Sequence, residues 1–338
     1  MLEKIGGNMR RFSLGIVPVV LLGLLLPLGN GATSGAATKK YTIIFAGATP
    51  AGNALTLQEY KFQKLVQASS HGQIVVKTYI NSSLGTGAAL TAEVNSGAAQ
   101  MTSLAPSYYV SYATDMNFLN YPFIFSDDAN ALANLNGAVG KTIAAQSLTD
   151  SNVKILAWGS FGFLNFMTKA PVTMPSQMSA YKMRTQVSLV NEATVTTLGA
   201  QATPLAASEL PTALATGLVN GDVNALAQII SYKDYTSLKY LDIINLAFSP
   251  DVLSINNTFF KSLPKNLQRD VTKAALAATA YEVKETNLQN NASVGILQSF
   301  GVTVHQGTPS EIAAFKTAEA PLIAQGQAQF PSLYAALK

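Results

Sequence analysis

Cysteine is absent from this 338-residue chain, so it forms no disulfide, thiolate nucleophile, Cys-ligated zinc site or iron–sulfur cluster. Histidine is almost as scarce. His71 and His305 stand far apart and outside any metal-ligand or triad pattern, which leaves zinc hydrolysis and Ser-His-Asp catalysis without support. Charged residues make up 12% of the chain, about half the roughly 25% usual in globular domains. The 22 basic and 18 acidic residues give +4 with no clustered basic stripe, so nucleic acid is not an expected partner. The phosphate-cradling G-x-x-x-x-G-K-[ST], nucleophile-elbow G-x-S-x-G and zinc-protease H-E-x-x-H patterns are all missing. The adjacent carboxylates Asp127-Asp128 read as a helix N-cap rather than an acid–base pair. No cofactor and no metal is expected.

What is present begins with a leader. Lys4, Arg10 and Arg11 precede an apolar run from Phe12 to Leu28, and a small-residue stretch ends at Ala37. This is the order of a cleavable secretory signal, with Met9 as a second possible start and cleavage near Ala36 or Ala37. Pro18 and Pro27 interrupt the apolar run, which is short against the ~20 residues needed to span a bilayer. The expectation is a signal peptide over residues 1–37 and a mature chain exported to the periplasm.

From Lys39 onward, strand-like and helical segments alternate. Tyr41-Thr-Ile-Ile-Phe-Ala46 reads as a strand, Leu55, Phe62, Leu65 and Val66 as the apolar face of a helix that Gly72 stops, and Gln73 to Tyr79 as a second strand. Ala88 to Asn95 reads as a helix. Further strands are expected at Met101 to Leu104, Val153 to Gly159, Phe163 to Thr168, Tyr181 to Arg184, Ile243 to Phe248 and Val252 to Asn256. Helices between most of them predict an α/β class with largely parallel pairing. From Pro264 to about Ser299 the spacing of Leu267, Val271, Ala274 and Ala278 predicts one long helix, either bracing two domains or kinked where the periodicity fades at Asn290-Asn-Ala-Ser. A two-domain α/β chain of this kind binds a solute in its cleft with a few fixed polar groups, without a catalytic set.

Specific residues then carry a family resemblance. Leu198-Gly-Ala-Gln-Ala-Thr-Pro-Leu205, followed by Ser208-Glu209, Ala213-Leu214, Gly217, Val219, Gly221 and Asn224, resembles the signature segment of tripartite ATP-independent periplasmic (TRAP) transporter solute-binding proteins, the DctP-like family. Ser83-Leu-Gly85, Phe118 to Phe125, Lys182-Met-Arg184, Lys233-Asp-Tyr235 and Leu263-Pro264 extend the resemblance over nearly all of the mature chain. It implies a two-domain periplasmic-binding-protein-like fold with crossing hinge strands and a long domain-spanning helix. The expected domains are 38–161 with about 250–289, and 162–249 with about 290–338. It also implies a small organic acid as ligand, delivery to a small and a large membrane subunit, and a monomer.

Read by itself, Arg184 suits a surface salt bridge better than a cleft. The resemblance implies that it anchors the ligand's carboxylate through paired, charge-assisted hydrogen bonds and that Asn224 assists it. It places Leu164 and Asn165 where family members carry a second arginine or another polar group, and Ala207 where an aromatic side chain packs. Ala48, Gly87 and Ala105 fall on positions that are polar in other members, while Phe161, Phe163, Tyr108 and Tyr109 are candidate aromatic walls. The expected ligand-binding set is therefore Arg184, Asn224, Asn165, Leu164, Ala207, Phe163, Ala105 and Tyr108. A pocket with one arginine and lost polar groups predicts an apolar or aromatic monocarboxylate or a 2-oxo acid. Two competing functions remain: a ligand sensor feeding a signalling system, and an exported hydrolase working through Glu93, Asp222 or Glu209.

Overall fold

The computed structural model describes residues 39–338; the expected signal peptide lies outside the described residues. The chain opens with β1 (Tyr41–Gly47), α1 (Ala54–Ser69) and β2 (Ile74–Tyr79), continues with α2 (Gly87–Ser96) and β3 (Met101–Leu104), and so builds a parallel β2-β1-β3 wing. Asn53 caps α1, its side chain accepting from the Leu55 amide at 3.0 Å, and Leu55, Phe62 and Val66 bury one face of the helix. Gly72 follows at φ +74°, a left-handed conformation that suits glycine, as the sequence predicts for the helix stop. Asp127 caps α3 (Asp128–Leu135), accepting from the Asn130 amide at 2.9 Å, and α4 (Ala138–Asp150) follows.

The centre of the sheet departs from the sequence reading. Each of two pairs of expected strands is one long strand: β4 (Val153–Thr168) continues through Gly162, and β8 (Tyr240–Asn256) continues through Pro250. They run antiparallel to each other, and β3 pairs antiparallel with β8. Pairing is therefore parallel in the wings and antiparallel at the centre, because the chain passes between wings along a strand and needs no crossover helix. Between the long strands lie β5 (Lys182–Thr185), α5 (Leu189–Thr197), β6 (Gln201–Pro204), α6 (Leu210–Thr216), β7 (Gly221–Ala225) and α7 (Leu226–Ser231). Strands β7, β5 and β6 form the second parallel wing, with β7 antiparallel to β4. After α8 (Asn257–Ser262) and α9 (Lys265–Ser299), β9 (Thr303–Gln306) pairs with β8, completing a nine-stranded sheet.

The α/β class is thus observed, with a long helix behind the crossing strands. α9 runs unbroken for 35 residues, about 50 Å. It does not break at Asn290; the apolar periodicity fades there because the side chain bonds to backbone. Asn290 Nδ2 donates to the Phe161 carbonyl at 3.2 Å, and its Oδ1 accepts from the Ala227 amide at 2.9 Å. At the same crossing β4 bulges between Ser160 and Gly162. Gly162 has φ +92°, and a Cβ there would sit 2.4 Å from Asn290 Nδ2, so both conformation and space require glycine. Apolar cores lie on both faces of the sheet. Phe45, Phe62, Ile255 and Leu267 pack between the first wing and the long helix, and Trp158 joins a separate core with Phe118, Phe125 and Phe248. Among the described residues no helix is long and apolar enough to cross a membrane.

Candidate functional site

The C-terminal ends of β1 and β3 in one wing face those of β5 and β7 in the other, the usual place for a ligand in an α/β sheet. A cavity of about 60 Å³ lies there. Ala48 and Thr49 follow β1, Leu104 and Ala105 end β3, Arg184 and Gln186 come from β5 and the residue beyond it, and Asn224 comes from β7. Leu164 of β4 and Ser249 of β8 supply the wall on the crossing strands, with Phe161, Ala207, Gln228 and Tyr232 closing it.

Among the described residues Arg184 is the only Lys or Arg that lines this cavity, and only 1% of its surface is exposed. Its Nε donates to the Leu205 carbonyl at 3.0 Å and its Nη1 to Asp222 Oδ1 at 3.4 Å, as an ion pair. Asp222 is its register partner on β7, fully buried, and its other oxygen accepts from Asn224 Nδ2 at 3.0 Å. Burial alone would weaken the Arg184 cation, but Asp222 beside it raises its affinity for the proton, so it is a permanent positive charge. Of a guanidinium's five N–H donors two are engaged, and three are left for a ligand. One Asn224 amide hydrogen is likewise unassigned, while its oxygen accepts from the Ala225 amide at 3.0 Å. Such a set holds an anion and fixes its orientation; it offers no nucleophile–base pair.

Six of the eight expected ligand-binding residues line the cavity: Arg184, Asn224, Leu164, Ala207, Ala105 and Tyr108. Gly87 makes room for Tyr108, since a Cβ there would lie 2.4 Å from its ring. Asn165 and Phe163 are corrected. The Asn165 oxygen accepts from the Ile244 and Asn245 amides at 3.0 and 2.9 Å, standing in for strand pairing where β4 and β8 lose register, and its amide donates to the Phe163 carbonyl. Phe163, half-buried, packs edge-on against Phe248, with ring centroids 5.5 Å apart, at the margin of a core and not on the cavity. Tyr109 is core as well, its hydroxyl donating to the Val252 carbonyl at 2.9 Å. Gln186, Gln228, Tyr232, Thr49 and Ser249 line the cavity and were not anticipated. Strand alternation two residues beyond Arg184 would have found Gln186; Tyr232 follows a short helix and carries no periodic signal.

Asp234 lies behind Arg184. Lys233, at φ +60°, turns the chain out of α7 so that the Asp234 carboxyl is buried, with neither oxygen accepting a hydrogen bond. Burial, then the neighbouring Asp222 carboxylate, push its proton affinity well above the ordinary carboxylate range.

Comparison with known proteins matches this architecture. The family model described as bacterial extracellular solute-binding protein, family 7 (DctP) covers residues 45–329. A solute-binding protein of Verminephrobacter eiseniae is 30% identical over 270 residues, covering 80% of each chain. A TRAP periplasmic solute-binding protein from Pseudomonas putida, solved with bound D-glucuronate, is 25% identical with a TM-score of 0.83, covering 88% of this chain and 96% of that one. Another from Ochrobactrum anthropi, whose C-terminus is bound in its ligand-binding pocket, is 29% identical with a TM-score of 0.79, covering 89% and 95%. This chain belongs to the DctP family of extracellular solute-binding proteins, the periplasmic components of TRAP transporters that bind small organic acids.

Proposed function

We propose that this chain captures an organic acid by placing one carboxylate against Arg184 and Asn224, and releases it to the small and large membrane subunits of a TRAP importer. The observation that carries this reading is a buried arginine with three unassigned donors at a cavity lined, among the described residues, by no other cation. On this reading residues 38–161 with about 250–289 close against 162–249 with about 290–338, the chain works as a monomer exported by its leader, and no bond of the ligand is made or broken. Sensing for a signalling system is the alternative use of the same binding event.

The ligand body would lie on Ala48, Leu55, Leu104, Ala105, Phe161, Leu164 and Ala207, which supports an apolar or aromatic monocarboxylate or 2-oxo acid. A second reading, a sugar acid, is favoured by the amides of Gln186 and Gln228 and the hydroxyls of Thr49, Tyr108 and Tyr232 on the same wall, and by the D-glucuronate bound to the Pseudomonas putida relative. Calorimetric titration with phenylpyruvate and with D-glucuronate separates them. Tighter binding of phenylpyruvate supports the first and tighter binding of D-glucuronate the second. Equal binding by Arg184→Ala would overturn the carboxylate anchor itself.

A further inference from the structure

The anion site holds two carboxylates for one guanidinium before any ligand arrives. Asp222 pairs with Arg184 and accepts from Asn224, so its charge is matched. Asp234 has neither: 1% exposed, it accepts no hydrogen bond at either oxygen, and its charged neighbours are Asp222 from β7 and Arg184 from β5. Tyr232, two residues before it, faces it as well and is in turn faced by Tyr108 and Arg184. The helices packed against this turn, α6 and α7, carry no titratable side chain. An ionised Asp234 would therefore leave the site with an excess negative charge, buried and unbonded, beside the guanidinium that must attract an anion. A protonated Asp234 has an acceptor at hand, the Asp222 carboxylate, and leaves a single carboxylate opposite the guanidinium.

We propose that Asp234 is a positioning residue of the anion site: its carboxyl holds a proton toward Asp222, and that proton keeps Arg184 electrostatically available to the ligand's carboxylate. This rests on Arg184 being the ligand anchor. Ligand capture is then linked to protonation of Asp234. Above the pH at which the ligand-free site loses this proton, affinity falls by up to tenfold per pH unit, because each binding event must recover it. At lower pH the affinity is flat. The raised proton affinity that burial and Asp222 give Asp234 agrees with this arrangement.

The test has two arms. In the first, the ligand-free chain carrying ¹³Cγ-labelled aspartate is titrated by NMR, with the Asp234 signal identified by its absence in Asp234→Asn. Retention of the proton well above the ordinary carboxylate range, and its loss at lower pH in Asp222→Asn, is the expected result; titration of Asp234 in the ordinary range near 4 overturns the proposal. In the second arm, D-glucuronate affinity is measured from pH 5 to 9 for wild type, Asp234→Asn and Arg184→Ala. Wild type should weaken with rising pH, whereas Asp234→Asn, whose amide donates to Asp222 at every pH, should show a flat profile and bind more tightly than wild type at pH 9. Parallel profiles for wild type and Asp234→Asn overturn the proposal, while undiminished binding by Arg184→Ala overturns the anchor on which it rests. If Asp234→Asn fails to fold, Asp222→Asn, which leaves Asp234 as sole partner of Arg184, must flatten the profile instead. If D-glucuronate binds at no pH, the titration of Asp234 alone decides.

Discussion

Two groups of buried acids lie in this molecule, and they differ in one respect that matters. Around the cavity, Asp222 and Asp234 share a site with Arg184. Behind it, Glu59 of α1, Asp251 of β8 and Glu282 of α9 are all fully buried, and the charge that perturbs Glu59 and Glu282 is that of Asp251. Asp251 accepts from Ser103 Oγ and from Gln58 Nε2 at 3.0 Å, and Glu282 accepts from the Ser160 amide at 3.2 Å and Thr286 Oγ1 at 2.7 Å. Glu59 accepts nothing. Burial, reinforced by Asp251, raises Glu59 and Glu282 well above the ordinary carboxylate range, and burial pushes Asp251 up to about 6. The lesson is that a buried acid set without a cation holds its protons more tightly and packs as structure, whereas a buried cation with spare donors is an address for an external anion.

The largest expected effect lies on the cationic side of that contrast. Arg184→Ala removes charge-assisted hydrogen bonds worth roughly 1.5 to 3 kcal/mol each, so two of them correspond to a loss of affinity of about 10² to 10⁴-fold in a calorimetric titration. Asp251→Ala acts on the side that has no cation. It leaves one Gln58 amide hydrogen short of an acceptor and Ser103 Oγ with Gln58 Oε1 in place of the carboxylate, and should cost about 2 to 4 kcal/mol of stability by urea denaturation, a loss of fold rather than of anion recognition. An unchanged denaturation midpoint would show that the cluster does not support the crossing strands.

Protonation sharpens the comparison further. A carboxyl raised in the folded chain keeps a proton that the unfolded chain releases, so its stabilising contribution is complete below pH 4 and is lost as pH rises through the folded value. For Asp251 that window runs from about 4 to about 6. Glu319, buried and unbonded, is raised to about 8 and extends the loss to that pH. The melting temperature should therefore decline from pH 5 to pH 8, each such group contributing up to about 1.4 kcal/mol per pH unit inside its window. The smallest effect is expected for Glu59→Gln, which replaces an already neutral acid with a neutral amide. It should be near-neutral at pH 5 and reduce the decline toward pH 8; a large loss at pH 5 would mean that Glu59 is ionised in the fold.

Much of this was legible in the sequence, and the exceptions have physical causes. Periodicity located β1, α1, β2, α2 and α9, because each buries one face at a regular spacing. It divided β4 and β8, because Gly162 and Pro250 look like breaks but lie inside bulged, continuous strands. Arg184 was readable from the family resemblance, yet its partner Asp222 was weighed only as an enzyme's acid, since a buried ion pair across two strands leaves no mark in a linear pattern. Asn165 was misplaced for a related reason. Its amide substitutes for lost strand pairing, which register alone reveals.

The most direct test of the anion site is thermal unfolding of the chain with D-glucuronate and phenylpyruvate, each beside its own uncharged amide. If Arg184 grips a carboxylate, at least one acid at about 100 times its dissociation constant adds ~2.7 kcal/mol and raises the midpoint, and its amide does not. An amide that stabilises the fold as much as its acid would contradict the account.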